Sequence, residues 1–288
     1  MAVDTFIPEV WASQLLIALQ AQYVFAQGGV INRDYEGEIS AYGDTVHIGS
    51  LSAPTVATYT KNSTAIDPQT LTTADQTLLV DQSKYFAFEV DDVDARQVRN
   101  NGDLMSKAAY LAAQALVSTT DAFLSGLMTT GAGTILTAQD VGTADAAYLL
   151  IRKLRVVLDK ANVPATGRFL IVSPELYAVL LGDARFINTA AYGSSAPILN
   201  GEVGKIIGFT VMVSNTLPAG TAGTGAEVSN FVVAGHSMAT TFADQINKVE
   251  AYRPQNSFSD ALKGLHLYGA KVVRPEALAV CDVDVTVA

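Results

Sequence analysis

The chain has 288 residues, a net charge of −10 and an isoelectric point near 4.7, with 49% hydrophobic and only 16% charged residues. The acidic balance has the wrong sign for a protein that grips phosphate backbones, and no apolar run approaches the roughly 18 residues of a membrane-spanning helix. Ordinary domains carry about 25% charged residues, so this chain must bury apolar surface in a large core or against other subunits.

Asp4 and Glu9 with no basic flank argue against a signal peptide, and the lone cysteine, Cys281, rules out an internal disulfide. A reducing cytoplasm is then the simple expectation for where the chain assembles. Pro8 and Glu9 suit the first turn of a helix, and Trp11, Leu15, Leu19 and Tyr23 follow at four-residue spacing until Gly28-Gly29. The tail beyond, through Gly37 and including Tyr35, has no clear period and is a candidate to lie on a neighbour.

Residues 38–51 read as a strand or strand pair turning at Gly43-Asp44. Residues 52–83 are rich in Thr, Ser and Ala, with one apolar cluster at Leu78-Leu79-Val80 and a turn at Pro68. Such a two-stranded excursion is marginal alone and implies a partner surface. Tyr85 to Val90 alternates as a strand.

Asp103 is the expected N-cap of a long helix running to Met128. Leu104, Ala108, Leu111, Ala115 and Ala122 mark one stripe of it, with Met105, Ala109, Ala112 and Leu116 beside them. A loop is expected from Thr129 to Gly142. The next helix, about Asp145 to Asn162, carries Leu150, Ile151, Leu154, Val157, Leu158 and Ala161 on one face and Arg152, Lys153, Arg155 and Lys160 on the other. That basic face is ordinarily solvated, and it is a candidate contact for a neighbour's acidic patch or for nucleic acid.

Arg168 to Ser173 is a buried strand, and Ser173-Pro174 opens a third helix through Leu181. Residues 182–203 are loop-like, 206–214 a strand, Pro218 to Gly225 a flexible turn and Phe231 to Gly235 a strand. From Lys248 to Val287 the chain is largely strands, with a connection from Pro254 to Asp260. Helix and strand succeed one another as in a mixed α/β unit.

Chemistry is sparse. Asp91, Asp92 and Asp94 lack the spacing of a calcium loop and read as acidic capping before the long helix. His47, His236 and His266 lie far apart in strand-like runs, so no metal is expected. The chain has no Gly-x-Ser-x-Gly elbow, and its glycine stretches at 131–133 and 220–225 lack the Lys-Ser or Lys-Thr ending of a phosphate loop. No catalytic residue, cofactor or metal site is expected.

Four segments carry a resemblance: Phe6-Ile7-Pro8-Glu9-Val10-Trp11, Gly43-Asp44-Thr45-Val46-His47-Ile48, Tyr85 to Asp94, and Tyr268-Gly269-Ala270-Lys271-Val272-Val273-Arg274-Pro275-Glu276-Ala277. Together they resemble the major capsid proteins of tailed bacteriophages, and the order of elements is similar to the Hong Kong 97-type α+β fold. The resemblance implies an N-terminal arm at 1–40 and an extended loop at 50–84. It implies a peripheral domain of 41–49, 85–139 and 248–288 with a spine helix at 103–128, and an axial domain at 140–247. It further implies a structural subunit, not an enzyme, that forms pentamers and hexamers of an icosahedral head enclosing double-stranded DNA without reading its sequence.

Implied partners are copies of the chain, a portal and possible decoration proteins; because few residues precede Phe6, the scaffold is expected to be a separate protein or absent. No membrane is involved, and the implied location is the virion capsid, assembled in the bacterial host cytoplasm. Trp11 and Tyr35 of the arm and Lys61 and Asp67 of the loop become inter-subunit candidates. Some relatives join a loop lysine covalently to an asparagine. Lys61 lies in the matching loop, but Ser259-Asp260-Ala261-Leu262 offers no matching asparagine and a crosslink is not expected. An encapsulin-like nanocompartment shell shares the implied fold, and a cytoplasmic α/β enzyme forming a small oligomer is the alternative from another class.

Overall fold

The structure, a computed structural model, describes residues 23–34, 45–51, 54–62, 68–70, 73–91, 101–182, 204–220, 228–256 and 258–285. The expected helix stripe at Trp11, Leu15 and Leu19 lies outside these residues, as do Tyr35, Asp67, Asp92 and Asp94. Tyr23 to Ile31 is a run of turns rather than the end of a helix.

The described strands form three sheets. β1 (Thr45–Leu51) and β2 (Thr73–Leu79) make an antiparallel pair in register from Thr45 opposite Leu79 to Leu51 opposite Thr73. They are the root of the predicted excursion. β3 (Gln82–Asp91) pairs with β10 (Ser259–Val272), which pairs in turn with β9 (Thr240–Tyr252), all antiparallel. The third sheet has six strands in the order β4 (Thr134–Asp140), β11 (Leu278–Val285), β8 (Val228–His236), β5 (Arg168–Val172), β7 (Phe209–Val213) and β6 (Lys205–Ile206).

Two expectations fail here for local reasons. The segment from Thr129 to Gly142 is not a loop: the long helix continues to Gly131, and Thr134–Asp140 pairs in parallel with β11. Residues 206–214 are not one strand. Ile207 and Gly208 both take positive φ, 49° and 86°, and fold β6 back on β7 as a tight hairpin.

The long helix α1 spans Asn101–Gly131, beginning two residues before Asp103. Its inward face is not the expected alanine-rich stripe. Leu111, Ala115 and Ala122 are exposed, whereas Ala113, Leu116, Val117, Thr120, Asp121, Leu124, Ser125 and Met128 are buried. The polar members of that face have partners inside. The hydroxyls of Thr120 and Thr129 donate to the carbonyls of Leu116 and Ser125, and Ser125 Oγ donates to Thr216 O at 2.7 Å. A hydroxyl satisfied by its own helix is cheap to bury.

α2 (Ala144–Lys160) starts at Thr143, whose side chain accepts from the Ala146 N–H, and buries Leu150, Ile151, Leu154 and Leu158 as the periodicity predicts. α3 (Pro174–Leu181) starts at Ser173, whose Oγ accepts from the Leu176 N–H. β5 is buried at every position and lies between β7 and β8.

The main core joins α1, both sheets of three and six strands, α2 and α3. A second, small cluster of Val46, Ile48, Leu78, Val80, Ala243 and Leu267 seats the root of the hairpin on the three-stranded sheet. Each buried Val, Ile or Leu there contributes about 1.5–3 kcal/mol. No helix among the described residues is long and apolar enough to cross a membrane.

Candidate assembly surface

Beyond its seated root the hairpin carries its apolar groups outward. Residues 54–62 are all exposed, Val56 by 95% and Tyr59 by 63%. Lys61 lies in the turn beside Asn62, whose φ is 63°. The described residues of the chain leave Val56 and Tyr59 facing solvent.

The three-stranded sheet is open in a complementary way. One face packs on α1, where Phe123 meets Tyr268 edge to face at 5.5 Å between ring centres. On the other face the hairpin root covers Leu267 and Ala243. Past that cover lie Tyr85 and, opposite it, Leu265, exposed by 81% and 36%. They line a shallow hollow of about 430 Å³ with Ala87, Glu250 and Lys263. Lys263 Nζ bonds Glu250 Oε2 at 2.9 Å and lies 5.1 Å from the centre of the Tyr252 ring. The Glu250 carboxylate raises the Lys263 ammonium above the ordinary lysine range. Phe258, just before β10, is also exposed.

Sequence reasoning singled out none of Tyr85, Leu265 or Phe258. The signal was present in Tyr85-Phe86-Ala87-Phe88. A strand with one face buried must turn alternate aromatics to the other face, and Phe86 and Phe88 stack on the same side at 6.3 Å.

The arm is corrected in part. Residues 23–34 are core of their own chain rather than a strip on a neighbour: Tyr23, Phe25, Ala26, Val30 and Ile31 are at most 1% exposed. Val24 N–H and Phe25 N–H donate to the two oxygens of Asp121 on α1, at 2.9 and 3.2 Å. Asn32 bridges in parallel to Thr241 on β9, and Arg33 Nη2 reaches Asp244 Oδ1 at 2.5 Å beneath the Phe242 ring. Trp11, Tyr35 and Asp67 lie outside the described residues.

The basic face of α2 is only partly open. Arg152, Lys153 and Lys160 are exposed, but Lys153 Nζ donates to Gln139 Oε1 at 2.6 Å. Arg155 is half-buried and donates to Ile207 O at 3.1 Å, close to Asp159. It ties α2 to the β6–β7 turn.

The histidines do not converge. His47 pairs with Asp75 across the hairpin at 2.6 Å. His236 accepts from Met238 N–H at Nδ1 and bonds Thr166 O through Nε2. His266 is buried against Tyr268, with Asp244 3.5 Å away. Among the described residues no group of three or more His, Cys, Asp or Glu side chains is placed to hold a metal. The surface offers apolar area and edge contacts, which suit association.

Comparisons with known proteins point the same way. A family model described as phage capsid protein matches residues 72–281. A solved structure from Mycobacterium phage Che8 is 35% identical, covers 90% of this chain and 91% of its own, and superposes with a TM-score of 0.76. The capsid structure of cyanophage P-SCSP1u is 15% identical, with 92% and 89% covered and a TM-score of 0.68. A virus-like particle from Pyrococcus furiosus is 13% identical, with 95% and 98% covered and a TM-score of 0.57. The last two show a shared fold alone. No curated protein matches the chain.

Proposed function

Because the chain belongs to the phage capsid protein family, and is thus a structural, non-enzymatic subunit of a viral shell, we propose that it builds the shell by lending its hairpin to adjacent copies. The hairpin tip around Val56, Tyr59 and Lys61 clasps a neighbouring subunit, and the sheet face at Tyr85 and Leu265 receives a contact in return. The carrying observation is that both surfaces leave large side chains in solvent, Val56, Tyr59 and Tyr85 by 95%, 63% and 81%.

The proposed peripheral unit is the three-stranded sheet with α1. The proposed axial unit is the six-stranded sheet with α2 and α3, and it draws in β4 and β11, which the boundaries at 85–139 and 248–288 had grouped with the peripheral unit. Trp11, Tyr35 and Asp67 belong to the proposed inter-subunit set, and Arg152, Lys153 and Lys160 to a surface for a neighbour's acidic groups. The encapsulin-like and enzyme alternatives are not favoured by the family match.

Pentamers and hexamers closed into an icosahedral head follow from this reading, with assembly in the bacterial host cytoplasm and partners in a scaffold, a portal and decoration proteins. A net charge of −10 suits a wall that encloses double-stranded DNA without holding it. Burial on the order of 1,000 Å² per contact gives roughly 25 kcal/mol gross. Most of that offsets lost freedom of motion, so each contact is modest and closure sums many of them.

The test is negative-stain electron microscopy of the chain produced alone and with an adjacent scaffold gene, beside a variant in which residues 54–70 are replaced by a short Gly-Ser turn. Closed particles or capsomer rings are expected from the parent and a folded subunit without stable shells from the variant. A uniform small oligomer in both parent preparations would overturn the shell reading. Stable closed particles from the variant would overturn the clasp alone.

A further inference from the structure

We propose that residues 9–22 seat their apolar stripe in the groove between α1 and the end of β7 of their own chain. The groove holds about 430 Å³ and is lined by Val24, Tyr110, Gln114, Val117, Ser118 and Val213, among others.

Both walls are fixed by the fold. On one side Tyr110, Gln114 and Ser118 follow at four-residue spacing and form a single ridge of α1. On the other, Ser214 N–H donates to Val172 O at 3.0 Å, and Thr216 O accepts from Ser125 Oγ at 2.7 Å. At one end Val24 N–H is held by Asp121 Oδ2 at 2.9 Å. The rim is apolar: Tyr110, Val213 and the adjacent Leu111 are all exposed.

The occupant follows from where the chain meets the groove. Val24 lines it, and Tyr23 and Phe25 are buried on either side, so the chain before Tyr23 departs from a fixed point at the groove's end. That tether favours the chain's own segment over a second copy's, because seating it is an intramolecular step.

The composition of the segment calls for cover. Between positions 6 and 26, Glu9 is the only charged residue. The period predicts a helix with Trp11, Leu15 and Leu19 on one face, Ala12 and Leu16 beside them, and Glu9, Ser13 and Gln20 opposite. A helix of this length is marginal alone in water and is stabilised by packing its apolar face.

The dimensions agree. Trp11, Leu15 and Leu19 repeat at the same interval as Tyr110, Gln114 and Ser118, so each ridge spans about 12 Å. Traced back from Val24 beside Asp121, the segment sets Leu19 against Ser118, Leu15 against Gln114 and Trp11 against Tyr110. Ala115 and Ser118 are small and exposed, which permits the close approach. Trp11, at the groove's mouth, keeps its outer edge for the neighbouring copy proposed above. The seat itself belongs to the single chain and stands or falls apart from shell assembly.

The experiment uses the full-length, unassembled subunit at low concentration. Leu19→Cys with Ser118→Cys, and separately Leu15→Cys with Gln114→Cys, are oxidised; Cys281 is buried and does not compete. Each pair should close within one chain, giving a monomer of altered mobility that has lost both engineered thiols. Trp11, the only tryptophan, reports without cysteines. Its emission should be blue-shifted and shielded from acrylamide relative to the urea-unfolded chain. Gln114→Asp with Ser118→Asp, both at exposed positions, should return it toward the unfolded value. Disulfide-linked dimers in place of the internal bridge would assign the segment to a second copy and overturn the proposal. Thiols that stay reduced in both pairs, or Trp11 emission unmoved by the paired aspartates, would also overturn it.

Discussion

Arg168, at the first position of β5, turns its buried guanidinium back onto the end of α2, where it meets Asp159 at 2.7 Å. The same group donates to Pro164 O at 2.8 Å and Val163 O at 2.6 Å. One side chain thus closes the connection between helix and strand. Asp159 is exposed, and its hydrogen bond to Arg168 holds its carboxyl below the ordinary range.

Arg168→Met should lower subunit stability by about 2–4 kcal/mol, because the buried Val163 carbonyl and the part-buried Pro164 carbonyl lose their donor. Asp159→Asn should change it little, since water screens the pair. Asp159's small contribution is present above the ordinary carboxylate range and fades as pH falls through its lowered value. Urea unfolding of both variants measures the difference. Equal losses would place the energy in the ion pair instead of the carbonyls.

Gly264 lies opposite Phe86, and a Cβ built on it would come within 2.3 Å of the ring. Gly264→Ala should destabilise the subunit by about 1–3 kcal/mol by forcing the ring off its place. Adding Phe86→Leu should return part of that loss. A double-mutant cycle reads the coupling, and additive effects would show that the ring yields freely.

Tyr85→Ser combined with Phe258→Ser should leave the urea midpoint of the isolated subunit within about 0.5 kcal/mol of the parent, because both side chains are exposed. The yield of closed particles should fall. An unchanged particle yield would remove this sheet face from the assembly surface.

Cys281 is fully buried, and burial, followed by the nearby Asp282 carboxylate, pushes its thiol up to about 11. At pH 8 roughly one thiol in a thousand is ionised, so the folded chain should resist maleimide labelling while the unfolded chain reacts at once. The folded state favours the protonated thiol. This contribution to stability is therefore present below the ordinary thiol range and is lost as pH rises from there through 11. Rapid labelling of the native chain at pH 8 would contradict the burial.

Much of the fold was legible where a single period dominates. Leu150, Ile151, Leu154 and Leu158 declared the buried face of α2, and Ser173-Pro174 declared the start of α3. The capsid family and its structural role were legible from four short segments. The inward face of α1 was not, because Ala113, Leu116, Val117, Leu124 and Met128 share it with Thr120, Asp121, Ser125 and Thr129. Their polarity reads as solvent-facing until the i−4 carbonyls and the distant partners Val24, Phe25 and Thr216 are in place. β4 was missed for a similar reason. Thr134 to Asp140 is half polar, and only its long-range pairing with β11 makes it a strand. The exposed aromatics of the candidate surface were hidden by their own hydrophobicity, which reads as core in a sequence.

β11 lies between β4 and β8, and 138 positions separate the end of β4 at Asp140 from the start of β11 at Leu278. At roughly 5–20 residues per second, a ribosome needs on the order of ten seconds to make the stretch between them. Throughout that interval β4 has no partner, and β8, once made, presents a bare edge. Neighbouring chains on the same messenger carry identical gaps at the same moment. The faster such a chain is produced, the more of these half-built sheets meet one another, so its rate of synthesis is bounded by the wait for its own middle strand.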